Sequence, residues 1–188
     1  MSIARPDTAA IFGAMGSAGW LALATLGTTA ACSSQSKPAQ VVPSAANTVL
    51  IDAQSRRLGT AAVVPSKSGG LLVLKLKGVP PGQHGLHLHA TGACDPPTFV
   101  SAGPHYNPAN RKHGIKNPQG PHAGDLPNVL ARPDSSVDTT LAISAAVVSA
   151  IGSGPAAKAL VLHAQPDDLT TDPSGNSGDR IACGVLQR

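Results

Sequence analysis

Seven histidines stand between positions 84 and 163 of this 188-residue chain: His84, His87, His89, His105, His113, His122 and His163. Asp125 follows His122 by three residues. A fold that gathers these side chains has either to leave them in water or to let them share a ligand. The first pair points to sharing. In a strand, residues two apart face the same side, so His87 and His89 share one face while Leu86 and Leu88 turn toward a core. Two imidazoles held side by side on a stiff strand form half of a planar nitrogen site, and such nitrogen geometry suits Cu(II).

The second group lies where burial alone cannot order the chain. Residues Gly114–Gly124 are broken by glycine and proline and show no apolar period. A metal ion held by His105, His113, His122 and Asp125 would order this stretch, because binding to the folded state alone adds directly to its stability. Three nitrogens and one carboxylate make the closed tetrahedral set of a structural zinc. His163 ends a short buried-strand pattern, Ala159–His163, and supplies a further imidazole.

Five motifs occur in one order: Gly85-Leu86-His87-Leu88-His89, Ser101-Ala102-Gly103-Pro104-His105-Tyr106-Asn107-Pro108, Gly120-Pro121-His122-Ala123-Gly124-Asp125-Leu126, Leu162-His163, and Gly178-Asp179-Arg180-Ile181-Ala182-Cys183. On these residues the chain resembles the copper/zinc superoxide dismutases, from about Asn47 to its end. The resemblance implies a copper site of His87, His89, His105 and His163, and a zinc site of His105, His113, His122 and Asp125. One copper and one zinc per chain follow, with His105 as the bridging, catalytic imidazole and the ions roughly 6 Å apart. It implies that Asp167 links His87 to His113 as an outer carboxylate, that Arg180 guides superoxide to the copper, and that Cys94 and Cys183 form a disulfide. His84 is not a ligand in the family and is expected to make structural hydrogen bonds. The implied reaction converts superoxide to O2 and H2O2 through alternating Cu(II) and Cu(I). The rival reading is an inactive relative that binds copper or zinc in the cell envelope. Carriers of Cu(I) favour Cys and Met, whereas the only methionines here are Met1 and Met15 and all four copper histidines are kept.

Strand patterns fall at 48–54, 59–64, 71–77, 85–90, 128–133, 139–144, 159–164 and 181–186. That spacing predicts an all-β sandwich or barrel, and the resemblance makes it an eight-stranded Greek-key barrel with long metal-binding and electrostatic loops. Leu71-Leu72-Val73-Leu74 is apolar throughout, so alternation does not fix its register. Residues 145–157 read as a loop, because of their glycines and Pro155.

Residues 9–31 carry no charge and read as an export leader over 1–31. Thr29-Ala30-Ala31-Cys32 resembles a lipoprotein processing site, with Cys32 as the lipidated residue; cleavage elsewhere and an uncleaved membrane helix stay open. Residues 32–46 form a flexible tether, and 47–188 form the single domain. This places the protein outside the cytoplasm, in the cell envelope and bound to a membrane through its N-terminus. The net charge is +4 and glutamate is absent. The basic residues are scattered and carry no nucleic-acid signature. Arg111, Lys112 and Lys116 are the candidates to steer superoxide, in which case association slows with added salt. Monomer and homodimer are both left open.

Overall fold

Nine strands are present among the described residues: β1 (Ala46–Asp52), β2 (Arg57–Ser66), β3 (Gly69–Lys77), β4 (Gly82–His84), β5 (Leu86–His89), β6 (Val129–Ala131), β7 (Ser136–Ile143), β8 (Lys158–His163) and β9 (Arg180–Leu186). The structure is a computed structural model and describes residues 46–152 and 157–188. The leader, most of the tether and Cys32 lie outside the described residues. Among the described residues, no helix is long and apolar enough to cross a membrane.

Seven strands pair antiparallel in the order β5-β8-β9-β1-β2-β3-β7. The two outermost strands, β5 and β7, connect along the chain to β4 and β6, which pair with each other. The sheet therefore curls and its ends are joined, the arrangement that relieves an all-β protein of open edges. All eight expected strands are present, and β4 is an additional short one separated from β5 by Gly85.

Alternation explains the core. Along β3, Leu72, Leu74 and Leu76 are buried, while Lys75 and Lys77 are exposed and Leu71 is 40% exposed. Pairing with β2 on one side and β7 on the other settles the register that the apolar run leaves ambiguous. Leu50, Ala61, Val63, Leu86, Leu88, Leu160, Leu162 and Leu186 complete the barrel interior.

One expectation is corrected. Residues Ala145–Ala150 form a helix, α1, rather than a loop. The Ser144 side chain accepts a hydrogen bond from Val147 N, capping the first turn. Val147 and Ile151 drive the helix into place by burying themselves in the main core. The helix ends before Gly152, so the residues that argue for a loop lie beyond its last turn.

The site is placed by β5 and β8, which are buried at every position. Leu86 pairs with Leu162 and Leu88 with Leu160, and all four face the barrel interior. On the opposite face His87 pairs with Val161 and His89 with Ala159, so both histidines point outward from the barrel. That outer face is covered by a second cluster of Phe99, Ala102, Ala159, Val161 and Cys183, and by two loops. One loop spans residues 90–128 and carries a short 3-10 turn, Val100–Ala102; the other spans residues 164–179.

Candidate metal centre

The long loop is stitched to the free edge of β5. Leu88 N–H donates to Gly124 O, and Tyr106 N–H donates to Leu88 O, each at 2.8 Å. Gly124 N–H donates back to Tyr106 O at 2.8 Å. Isolated bridges pair His89 with His105 and His87 with Asp125. This approach requires glycine, because a Cβ at 124 would stand 2.2 Å from Leu88 O. The disulfide Cys94–Cys183 is present, with Cα atoms 5.6 Å apart, and ties the start of the same loop to β9.

Two sets of ligand atoms result. His87, His89, His105 and His163 offer nitrogens that lie within 4.8 Å of one another. Three of their rings are aimed by hydrogen bonds on the opposite nitrogen. His87 Nε2 donates to Asp167 Oδ2 at 2.9 Å, His89 Nδ1 to Gly103 O at 2.8 Å, and His163 Nδ1 to Gly178 O at 3.1 Å. Carbonyl and carboxylate oxygens only accept, so each outward nitrogen carries the proton and the inward one keeps its lone pair. The four inward atoms, His87 Nδ1, His89 Nε2, His105 Nε2 and His163 Nε2, are buried without any hydrogen-bond partner. A β-bulge between Leu162 and His163 re-aims the last ring.

The second set centres on Asp125 Oδ1. His105 Nδ1, His113 Nδ1 and His122 Nδ1 lie 3.0, 3.1 and 3.2 Å from it. His122 Nδ1 and His105 Nδ1 are 3.5 Å apart. Four atoms at about 2.0 Å from one tetrahedral ion would be about 3.3 Å from each other, so these separations fit zinc. Although His113 Nδ1 is close to the carboxylate, it makes no hydrogen bond in that direction. Asp125 Oδ2 is held by Gly114 N–H and His122 N–H, which leaves Oδ1 for the centre. His87 also lies within 4.8 Å of His105, His113 and Asp125. That second group does not include His122; within it, His87 Nε2 is taken by Asp167 and His87 Nδ1 has no hydrogen-bond partner.

Asp167 joins the two sets, accepting from His87 Nε2 through Oδ2 and from His113 Nε2 through Oδ1, the latter at 3.0 Å. Asn128, which the sequence does not mark, holds the Asp167 backbone at both its N–H and its carbonyl. Gly175 closes over this contact, since a Cβ there would stand 1.7 Å from Asp167 Oδ1. His84 stands apart from both sets, its ring nitrogens 2.8 Å from His163 O and 2.7 Å from Pro80 O. Arg180 is half-buried; its guanidinium donates to Phe99 O at 2.7 Å and to Gly103 O at 2.8 Å, the second being the carbonyl that orients His89.

The electrostatics differ between the sets. Burial lowers His89 to about 2, His163 to about 3 and His105 to about 4, so all three rings are neutral and ready to bind a cation. Burial also lowers His87, against the pull of Asp167. For His113, burial is outweighed by Asp125 and Asp167, and the ring is raised to about 9. Burial raises Asp125 and Asp167, but the facing histidines and backbone N–H groups outweigh it and hold both carboxyls below the usual range.

Fold and site together define a β-barrel protein with two overlapping groups of buried candidate metal ligands. The copper/zinc superoxide dismutase (SODC) family model matches residues 57–186. The chain is 40% identical over 147 residues to superoxide dismutase [Cu-Zn] 2 of Aquifex aeolicus, covering 76% of this chain and 86% of that one. It is 42% identical over 137 residues to superoxide dismutase [Cu-Zn] of Caulobacter vibrioides, covering 69% and 78%. The crystal structure of a double mutant of a SOD-like protein from Bacillus subtilis superposes with a TM-score of 0.70 at 36% identity, covering 77% of this chain and all of that one. The chain belongs to the copper/zinc superoxide dismutase family, and its cofactors are copper and zinc.

Proposed function

We propose that His87, His89, His105 and His163 hold copper, that His105, His113, His122 and Asp125 hold zinc, and that the pair dismutes superoxide, the reaction of the family. The observation that carries this division is the convergence of four buried ring nitrogens with unpaired lone pairs. Leaving a buried polar group unsatisfied costs about 1–3 kcal/mol, and four on one point need a cation to offset them.

Copper held there would supply the one-electron redox chemistry, and zinc would supply charge and order without redox chemistry. The chain's residues do the rest. His105 is the one ring in the copper set whose other nitrogen faces Asp125 and the zinc ligands instead of a fixed carbonyl or Asp167. It is therefore the ring that can take a proton at Nε2 and deliver it to the outgoing peroxide. Arg180 is anchored through two of its nitrogens and keeps further N–H donors for a small anion. Arg111 and Lys112 line a pocket of about 600 Å³ that reaches His105 from the zinc side, which supports a steering role for both.

The disulfide supports an oxidising compartment. With it we assign residues 1–31 as an export leader, Cys32 as the lipid-bearing residue, 32–46 as a tether and 47–188 as the enzyme of the cell envelope. Metal analysis of the purified protein together with a dismutation assay tests the central reading. One copper and one zinc per chain with turnover are expected; zinc alone and no turnover would make the chain an inactive relative.

A further inference from the structure

The six candidate ligand histidines carry twelve ring nitrogens, and eleven of these have an assignment. Four face the copper position. Three, the Nδ1 atoms of His105, His113 and His122, surround Asp125 Oδ1. Four outward nitrogens have acceptors: His87 Nε2 and His113 Nε2 on Asp167, His89 Nδ1 on Gly103 O, and His163 Nδ1 on Gly178 O. The remaining atom is His122 Nε2, and the carboxylate facing it is Asp172, with Oδ1 4.0 Å away.

A histidine that binds a metal through one nitrogen almost always donates its other N–H to a fixed acceptor, which sets the ring's orientation and its basicity. Asp172 is built to be such an acceptor. It comes from the loop between β8 and β9, while His122 belongs to the loop between β5 and β6. Its Oδ1 accepts His113 N–H at 2.7 Å and its Oδ2 accepts Lys112 Nζ at 2.8 Å, so the carboxylate is fixed on two successive residues of the zinc loop. Asp172 and His122 line the same pocket, and the His122 ring is 8% exposed. That outward edge is where an acceptor is needed and where water competes for it.

We propose that Asp172 is a positioning residue of the zinc centre, the outward partner of His122, which closes onto His122 Nε2–H when Nδ1 binds zinc. It then does for His122 what Asp167 does for His87 and His113. This inference rests on the zinc ligand set proposed above. The closure is short, from 4.0 Å to the 2.7–2.9 Å of a charge-assisted hydrogen bond. It leaves the contact with His113 N–H in place, because a carboxylate oxygen accepts more than one hydrogen bond.

The test uses the full chain and its Asp172→Ala, Asp172→Asn, Lys112→Ala and His122→Ala variants. Zinc affinity is read by competition with a chromophoric chelator, and the visible spectrum is recorded with Co(II) in the zinc position. For Asp172→Ala we expect zinc affinity to fall about 10- to 100-fold, the range for loss of an outer partner, with a changed Co(II) spectrum and unchanged copper content. Asp172→Asn, which keeps an acceptor but loses the charge, should recover part of the loss. Lys112→Ala, which leaves the His113 N–H anchor on Oδ1, should change both readouts much less than Asp172→Ala does. Natural affinity in Asp172→Ala, or an equal loss in Lys112→Ala, would overturn the proposal, the second by making Asp172 a loop tether only. His122→Ala separates the two levels. If it too binds zinc normally, the ligand set itself is wrong; if it loses zinc while Asp172→Ala does not, only the role of Asp172 falls.

Discussion

The proposed copper and zinc halves of the site are built by different means. His87, His89 and His163 stand on β5 and β8, and the ladder between those strands fixes their spacing before any metal arrives. His113, His122 and Asp125 stand on a loop held by its own hydrogen bonds, by the edge of β5 and by Asp172. We expect the proposed copper half to inherit its geometry from the barrel, and the proposed zinc half, held by loop contacts, to depend more on its ion for stability. A ligand removed from the first should cost chemistry, and one removed from the second should cost order.

The sharpest way to break this contrast is His163→Ala. Turnover should fall to the background of the assay, while the far-ultraviolet spectrum of the barrel and zinc binding are retained. Unfolding of this variant would show that the strands do not hold the copper half alone. The next effect in size is that of His122→Ala, which should lose zinc and lower the thermal midpoint of the metal-loaded protein, with copper content reduced far less. Equal loss of both metals in both variants would erase the distinction.

The smallest effect is a pH signature of the metal-free protein. His89, His105 and His163 have folded values of about 2, 4 and 3, below the 6.5 of a free imidazole. As pH falls below about 6.5 the unfolded chain takes up protons that these rings refuse, so stability is lost on the acid side. His113, raised to about 9, has the opposite sign: its contribution is fully present below about 6.5 and is lost as pH rises through about 9. Thermal midpoints should therefore peak near neutrality. Zinc displaces the His113 proton, so adding it should flatten the alkaline limb; an alkaline limb unchanged by zinc would contradict the assignment.

Much of this was legible in the sequence, for reasons that also explain what was not. His-x-His on an alternating strand, and a glycine-broken loop dense in ligands, are local patterns with local consequences. The outward partners are another matter. Gly103 O and Gly178 O are backbone carbonyls, which every residue carries, so no side chain marks them. Asn128 acts on the backbone of Asp167, 39 residues away. Asp172 is one of four aspartates between His163 and Arg180, and only the crossing of the two loops distinguishes it. The helix α1 did have a signal, Ser144 followed by Ala145-Ala146-Val147-Val148, but the glycines and proline downstream outweighed it in a reading by composition. Of the three cations expected to steer superoxide, Lys112 is paired with Asp172 and Arg111 donates to Gly120 O, contacts that only the structure reveals.

Tyr106 is the only tyrosine in the chain. Its backbone makes two of the hydrogen bonds that close the long loop onto β5, and it follows the shared imidazole directly. The chain thus carries a single built-in phenol chromophore at the seam between the strand-borne histidines and the loop-borne ones. Ultraviolet difference spectroscopy at that ring would follow loop closure as metal is added, with no label attached.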